Sequence, residues 1–112
     1  MVPISAPLLC LLWYDYYCGS IFNMIDKLIT QEIENIPEKL EDGIIYVSYK
    51  YGVAIHRCAC GCGEHTVTPF EGPRSWTLTS NPNGITLRPS IGNFQFKCKS
   101  HYWITHGIVQ FC

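Results

Sequence analysis

The segment HRCACGCGEH, residues 56 to 65, limits the folds open to this chain more than any other feature. It places Cys58, Cys60 and Cys62 at alternate positions, with a histidine at each end. Cysteines this close together cannot bridge one another without strain. The chain also has seven cysteines, an odd number, and no good export signal precedes them. Metal binding in a reducing cytosol is therefore favoured over a disulfide framework.

A bound metal needs a further donor from elsewhere in the chain, because structural zinc takes four thiolate or imidazole ligands in a tetrahedral array. Gly61 and Gly63 permit a sharp turn that would bring Cys62 towards the other two cysteines. The distant donor is Cys98 in FKCKSHYW, with His101 three residues later. The sequence predicts one structural zinc ion; buried free thiols that act as small hydrophobes are the alternative.

Short runs of β-branched and aromatic residues, separated by turn residues, follow one another from Met24 onward. NPNG, residues 81 to 84, lies between two such runs and predicts a hairpin turn. Pro37 and Gly43 suit the two ends of one short helical turn. The predicted fold class is mainly β, a small α+β protein: a compact antiparallel β domain stabilised by one zinc site, with at most one short helix. The predicted strand runs are 44–49, 52–58, 65–70, 75–79, 84–88 and 108–111.

Residues 1–23 differ in character from the rest of the chain. PLLCLLWYDYYCG is apolar but interrupted by Asp15, no Lys or Arg precedes it, and it is shorter than the roughly 20 residues of a spanning helix. We therefore expect neither a signal peptide nor a membrane helix there. The predicted organisation is an N-terminal extension over residues 1–23, with Met24 as the native start, and a single zinc-binding β domain over residues 24–112.

Charge excludes one class of partner. Eight Lys and Arg stand against nine Asp and Glu, a formal net charge of -1, and the basic residues form no cluster along the sequence. This balance argues against nucleic acid as the main partner. The sequence predicts a cytoplasmic protein without a nucleic-acid or membrane partner.

A candidate nucleophile lies in RPSIGNF, residues 88 to 94. Ser90 follows a proline at the end of a predicted strand, where its hydroxyl would be held in a fixed direction. Gly92 and the neighbouring amides would supply oxyanion donors. A serine nucleophile needs a base within hydrogen-bond reach, and His56 and His101 are the candidates. The residues alone favour a capping serine, because serines in turns usually have that role.

Two stretches of the chain together resemble a known family. IIYVSYKYGVAIHRCACGCGE, which begins at Ile44, and TLRPSIGNFQFKCKSHYWITHGIV, which begins at Thr86, are similar to the small bacterial proteins of domain of unknown function 6527. Its members, called BubE in some operons, are encoded beside bacterial ubiquitin-like conjugation genes. The resemblance runs from about Met24 to the C-terminus, and members of the family begin close to that position, which favours the extension described above.

The resemblance implies a zinc-stabilised β domain that acts as a serine-type peptidase. It would trim or remove a ubiquitin-like protein at its C-terminal tail, so the implied partners are a ubiquitin-like substrate and its conjugation machinery. Carried over by position, Ser90 falls where the nucleophile is expected and His101 on the other characteristic position. The metal-binding part of the family's pattern falls on Cys58, Cys60 and Cys98.

The fourth ligand and the base depend on one another. If Cys62 completes the zinc site, His101 is free to act as general base. If His101 binds the metal, the base must be His56. The first assignment is favoured, because an all-cysteine site of Cys58, Cys60, Cys62 and Cys98 leaves a histidine close to Ser90. Glu64 and Glu71 are the nearest candidates for an acidic third member.

Three other functions stay open. A zinc metallopeptidase would need three protein ligands and a metal-bound water, and thiolate-rich coordination disfavours it by lowering the Lewis acidity of the metal. A non-catalytic, zinc-dependent protein-binding module is the second. The third is a cysteine peptidase that uses Cys62 or Cys112 with a histidine.

Overall fold

Two four-stranded β-sheets account for the strands of residues 24–111, the part of the chain that this computed structural model describes. Neighbouring strands are antiparallel, except that β1 and β2 are parallel. The first sheet has the order β1-β2-β3-β4, with β1 Ile29–Glu32, β2 Ile44–Ser48, β3 Val53–Arg57 and β4 His65–Pro69. The second has the order β5-β6-β7-β8, with β5 Thr77–Asn81, β6 Gly84–Gly92, β7 His101–Thr105 and β8 Ile108–Phe111. No helix occurs in this part of the chain, so the predicted mainly β fold is confirmed.

The core is built from the buried side of each sheet. In β3 and β7 every second residue is buried, because successive side chains of a strand point to opposite faces. Ile45 from the first sheet and Leu87 and Ile104 from the second are all fully buried. Each such side chain contributes about 1.5–3 kcal/mol relative to an exposed position. Because the core takes only one face of each sheet, the other face of β6 and β7 is directed outward.

The ladder between β6 and β7 contains an irregularity. Leu87 pairs with Ile104 and Ile91 pairs with Tyr102, so three residues of β6 lie opposite Trp103 alone. Pro89 lies in this segment, and a residue without an N–H group cannot donate to the ladder. A bulge of this kind bends a strand and re-aims its side chains. Ser90 lies at the C-terminal end of this irregular segment and is half-buried on the outward side of the sheet.

Several local predictions have an outcome here. The hairpin turn is confirmed between β5 and β6, where Asn81 pairs with Gly84. The predicted helical turn after Pro37 is wrong: bends and a turn occupy this segment, since Leu40 is drawn into the core. Strand β7 was not predicted. The predicted extension, residues 1–23, lies outside the described residues and stays a prediction, as does the boundary of the single domain.

Across residues 24–111, no helix combines the length and apolarity that a membrane crossing requires.

Gly84 provides a test of how closely the β5–β6 and β7–β8 turns approach. A Cβ at Gly84 would lie 2.7 Å from the backbone carbon of His106, with φ at +132°, whereas one at Gly72 would have no neighbour within 4 Å at a φ of +86°. Gly72→Ala would thus cost only the left-handed backbone, about 1–2 kcal/mol. Gly84→Ala adds a backbone clash, so we expect a larger loss of unfolding free energy in urea titrations. Equal losses in the two variants would contradict the close approach.

Candidate active site and metal centre

A serine and a histidine meet on the outward side of the second sheet. The Ser90 hydroxyl oxygen lies 2.7 Å from Nε2 of His101, and both residues are half-buried. His101 is the first residue of β7 and pairs with Gly92, two residues after Ser90 on β6. Ser90 and Gly92 lie two residues apart on β6 and therefore share its outward face. Because Gly92 has no side chain, the imidazole of His101 can reach across it to the Ser90 hydroxyl.

Phe94 packs against this pair. Its ring centroid lies 5.5 Å from that of His101, and a Cβ added at Gly92 would lie within 2.4 Å of the ring edge, which shows how closely the ring covers the glycine. The ring is nevertheless 57% exposed. Burial lowers the pKa of His101 from its ordinary value. His101 is therefore held neutral at neutral pH, as a hydrogen-bond acceptor for a serine must be.

The four cysteines of residues 24–111 converge on one point, and none is in a disulfide. Their sulfur atoms all lie within 4.8 Å of one another: Cys58, Cys60, Cys62 and Cys98. The first three follow β3, where Gly61 and Gly63 both have positive φ and reverse the chain. Cys98 lies between β6 and β7, so the cluster joins the two sheets.

The donor set fits zinc. A tetrahedral ion with Zn–S bonds of about 2.3 Å holds its sulfurs about 3.8 Å apart. The sulfur of Cys58 lies 3.5 Å from that of Cys60 and 3.8 Å from that of Cys98, which lies 3.7 Å from that of Cys62. Four thiols at these distances form a closed site of the kind that structural zinc occupies.

Two of the thiols, those of Cys58 and Cys62, are harder to ionise at these positions, because their pKa values are raised. The hydrogen bond with Cys60 and burial raise the pKa of Cys58, and burial raises the pKa of Cys62 to about 11. A divalent cation among the four sulfurs reverses this preference, because it stabilises the thiolate forms. Ser100 supports the same state, since its hydroxyl lies 3.0 Å from the sulfur of Cys58.

A buried polar network connects the cysteine cluster with the strand that carries His101. The amide nitrogen of Asn93 donates to the Ser100 hydroxyl at 3.0 Å and to the Tyr102 hydroxyl at 3.3 Å. Thr66 of the first sheet donates to the amide oxygen of Asn93 at 3.2 Å. Ser100 and Tyr102 are fully buried, so the residue between them, His101, points outward.

His56 belongs to this network. It is fully buried, and its Nε2 lies 2.7 Å from the Tyr102 hydroxyl, while its Nδ1 has no hydrogen-bond partner among the described residues. Burial lowers the pKa of His56 to about 3, and no hydrogen bond joins it to Ser90. The two histidines named from the sequence thus occupy different surroundings, one inside the molecule and one beside Ser90.

Neither sequence candidate for an acidic third member contacts His101. Glu64 accepts a backbone hydrogen bond from Cys58, and the side chain of Glu71 lies against Gly52. No carboxylate within residues 24–111 forms an ion pair or hydrogen bond with His101.

Sequence reasoning missed the supporting residues. Asn93 lies within RPSIGNF and Ser100 within FKCKSHYW; both are polar, yet only 2% and 0% exposed. Polar residues beside a cysteine ligand were the available signal, because ligands usually have hydrogen-bonding neighbours. Phe94 gave no signal, since an exposed aromatic next to an asparagine is unremarkable in sequence.

Comparison with protein-family models matches residues 32–112 to the family described as BubE, bacterial ubiquitination-like system serine protease. Searches of curated proteins and of solved structures find no significant match.

Metal analysis tests the cysteine cluster. We expect the protein purified from cells to contain about one zinc ion per chain, and Cys98→Ser to lose it. Because the cluster joins the sheets, this loss should lower the unfolding free energy by at least about 2 kcal/mol, or roughly 10 °C in melting temperature.

Thr79→Ser is the control, since it places a serine at an exposed position of β5 outside the cysteine cluster and should keep the metal. Full zinc content in Cys98→Ser would contradict the predicted ligand set.

Proposed function

The chain belongs to the BubE family of bacterial ubiquitination-like system serine proteases, and on that basis we propose that it is a peptidase that processes or deconjugates a ubiquitin-like protein. Ser90 is the nucleophile and His101 the general base in this proposal. The observation that carries it is the 2.7 Å separation between the serine hydroxyl oxygen and Nε2 of the imidazole. A nucleophile and its base must come within this distance for the proton to pass from one to the other.

The reaction follows from the two roles. The Ser90 hydroxyl donates to Nε2 of neutral His101, so the ring proton must be on Nδ1. As the serine oxygen attacks the carbonyl at the C-terminal tail of the ubiquitin-like protein, Nε2 takes the proton and then gives it to the leaving group. Backbone N–H groups around Gly92 stabilise the oxyanion, and water releases the acyl group.

The metal has a structural role in this proposal. Cys58, Cys60, Cys62 and Cys98 would hold zinc, which when bound supplies a cross-link between the sheets. Four protein ligands leave no open position for a water or a substrate oxygen, which disfavours the metallopeptidase alternative. The observed sulfur distances support a closed set that includes Cys62, and this leaves His101 available as the base.

The partners and location are part of the same proposal. The substrate is a ubiquitin-like protein, and its conjugation machinery is the functional context. We place the protein in the cytoplasm, where reducing conditions keep thiols available as metal ligands. A zinc-dependent binding module without catalysis is the second candidate, and a single substitution separates it from the peptidase.

Ser90→Ala is that substitution. With a bacterial ubiquitin-like protein that bears a C-terminal extension, we expect wild-type cleavage and a loss of about a thousandfold or more in Ser90→Ala, because the nucleophile is removed. His101→Ala should show a comparable loss with unchanged zinc content. Cleavage is followed by intact mass.

Ser80→Ala and His65→Ala are matched controls, since both residues are exposed and lie on other strands. Both should cleave at the wild-type rate. Cleavage that survives Ser90→Ala would rule out the serine mechanism, and zinc loss in His101→Ala would identify His101 as a metal ligand and contradict its role as the base.

The pH profile tests His101 independently. A general base works only when neutral, so kcat/KM should be full at neutral pH and fall as the pH drops through the pKa of His101. Because burial lowers that pKa, the midpoint should lie below the ordinary value of about 6.5. Phe94→Ala removes a ring that shields His101 from water, so the midpoint of the pH profile should move up towards the ordinary histidine pKa of about 6.5. A wild-type midpoint above 6.5 would count against this role.

A further inference from the structure

Carboxylates are segregated along the chain. No Asp or Glu follows Glu71, while residues 72–112 carry four cations, a side-chain charge of +4. Residues 24–71 carry eight carboxylates and four cations, a charge of -4. The basic residues form no run in the sequence, but the sheet that carries Ser90 and His101 is built entirely from the positive part.

Internal ion pairs do not cancel this asymmetry. The two ion pairs of residues 24–111 join Lys50 to Glu34 and Arg57 to Asp42, all within the negative part. In the positive part, Lys97 lines a cavity of about 390 Å³ with Glu64 and Cys98, so it belongs to the surroundings of the metal centre. Arg88 is the cation on the outward side of β6, two residues before Ser90.

Arg88 is held in one orientation. Its Nη1 donates to the carbonyl oxygens of Leu87 and Ile104, at 2.8 and 3.1 Å, and its Nη2 donates to the Thr105 hydroxyl at 2.8 Å. The guanidinium carbon lies 5.3 Å from the ring centre of Trp103. All these acceptors are neutral, so the charge of Arg88 has no counterion within the described part of the chain.

The guanidinium also keeps hydrogen-bonding capacity. Arginine has five N–H donors. Three are used by the contacts above, which leaves two without an acceptor among residues 24–111. Two N–H groups of one guanidinium are what a carboxylate needs for a paired hydrogen bond. Because the side chain is already oriented, binding costs little conformational entropy.

We propose that Arg88 binds a carboxylate of the protein substrate beside the scissile bond, so that an acidic extended segment lies across β6 and β7. This inference rests on the proposed function, because it takes Ser90 as the reacting group. Arg88 precedes Ser90 by two residues and lies on the same outward side of β6, so a carboxylate bound there would belong to the part of the segment close to the attacked carbonyl.

A nucleic acid is the competing occupant of a positive surface, and two features of the face disfavour it. Arg88 is a single cation beside Ser90, whereas proteins bind the phosphate backbone of a nucleic acid with several Lys and Arg side chains. The Trp103 ring is stacked under Arg88, so that side of it is closed to a base.

Binding by the Ser90→Ala protein tests the proposal without catalysis. The probes are fluorescent, C-terminally amidated peptides of Gly and Ala with one Glu at each position in turn, and a matched series with Gln. One further peptide has a free C-terminal carboxylate and no Glu. It shows whether Arg88 binds a Glu side chain or the C-terminal carboxylate of the peptide. Fluorescence anisotropy gives the Kd of each peptide.

We expect one Glu position, or the free C-terminus, to bind about tenfold more tightly than its neutral counterpart, as a charge-assisted hydrogen bond provides. Arg88→Gln should abolish this preference and Arg88→Lys should keep only part of it. Arg74→Gln removes the same charge from the same half of the chain and should keep the preference. A structural role of Arg88 would weaken both peptide series equally.

Equal affinity for Glu and Gln peptides overturns the proposal, and this comparison holds even where an Arg88 variant does not fold. A preference that survives Arg88→Gln overturns it too, as does a single-stranded oligonucleotide that binds more tightly than every Glu peptide. Cleavage by wild-type protein is measured separately. Absence of cleavage would remove the proposed function, while the peptide comparison would still decide the role of Arg88.

Discussion

The position of the Ser90–His101 pair depends on the contacts that hold the two sheets together behind it. Cys98 reaches from the second sheet to the cysteines that follow β3, and Tyr102 reaches from β7 to His56 on β3. Cys98 and Tyr102 are both buried, and a hydrogen bond in such surroundings is electrostatically stronger than one in water. Cys98 and Tyr102 lie on either side of His101 in the sequence, so their contacts fix the direction of the backbone at His101.

The same buried environment explains why the two histidines differ. His56 is surrounded by the core and holds its place through a tyrosine hydroxyl, which suits a neutral structural group. His101 packs beside Phe94 but is only half-buried, so a proton can enter and leave. A histidine serves as a base only where both protonation states are accessible, and in this fold that condition is met on the outward side of the sheet.

The sequence predicted the strands that have strong β-branched character, the hairpin at residues 81 to 84 and the four cysteines as candidate ligands. It failed at β7, because HYWIT mixes a histidine and a tryptophan that face outward with a tyrosine that faces inward, and no simple alternation of polarity results. It also failed after Pro37, where burial of Leu40 outweighed local helix signals. The distance between Ser90 and His101 depends on the bulge in β6; Pro89 indicates an interrupted ladder there, but residue types alone do not give the size of the interruption.

That bulge has a consequence for which changes in chain length the site tolerates. Between Leu87 and Ile91 it adds two residues relative to β7, an even number, so both flanking side chains still face the core. A deletion or insertion of one residue here would exchange the two faces beyond it, turning Ser90 inward and Ile91 outward. The outward position of Ser90 and the buried positions of Leu87 and Ile91 thus depend on the same parity of residue count, so a single-residue change in the length of this segment would disturb the core together with the site.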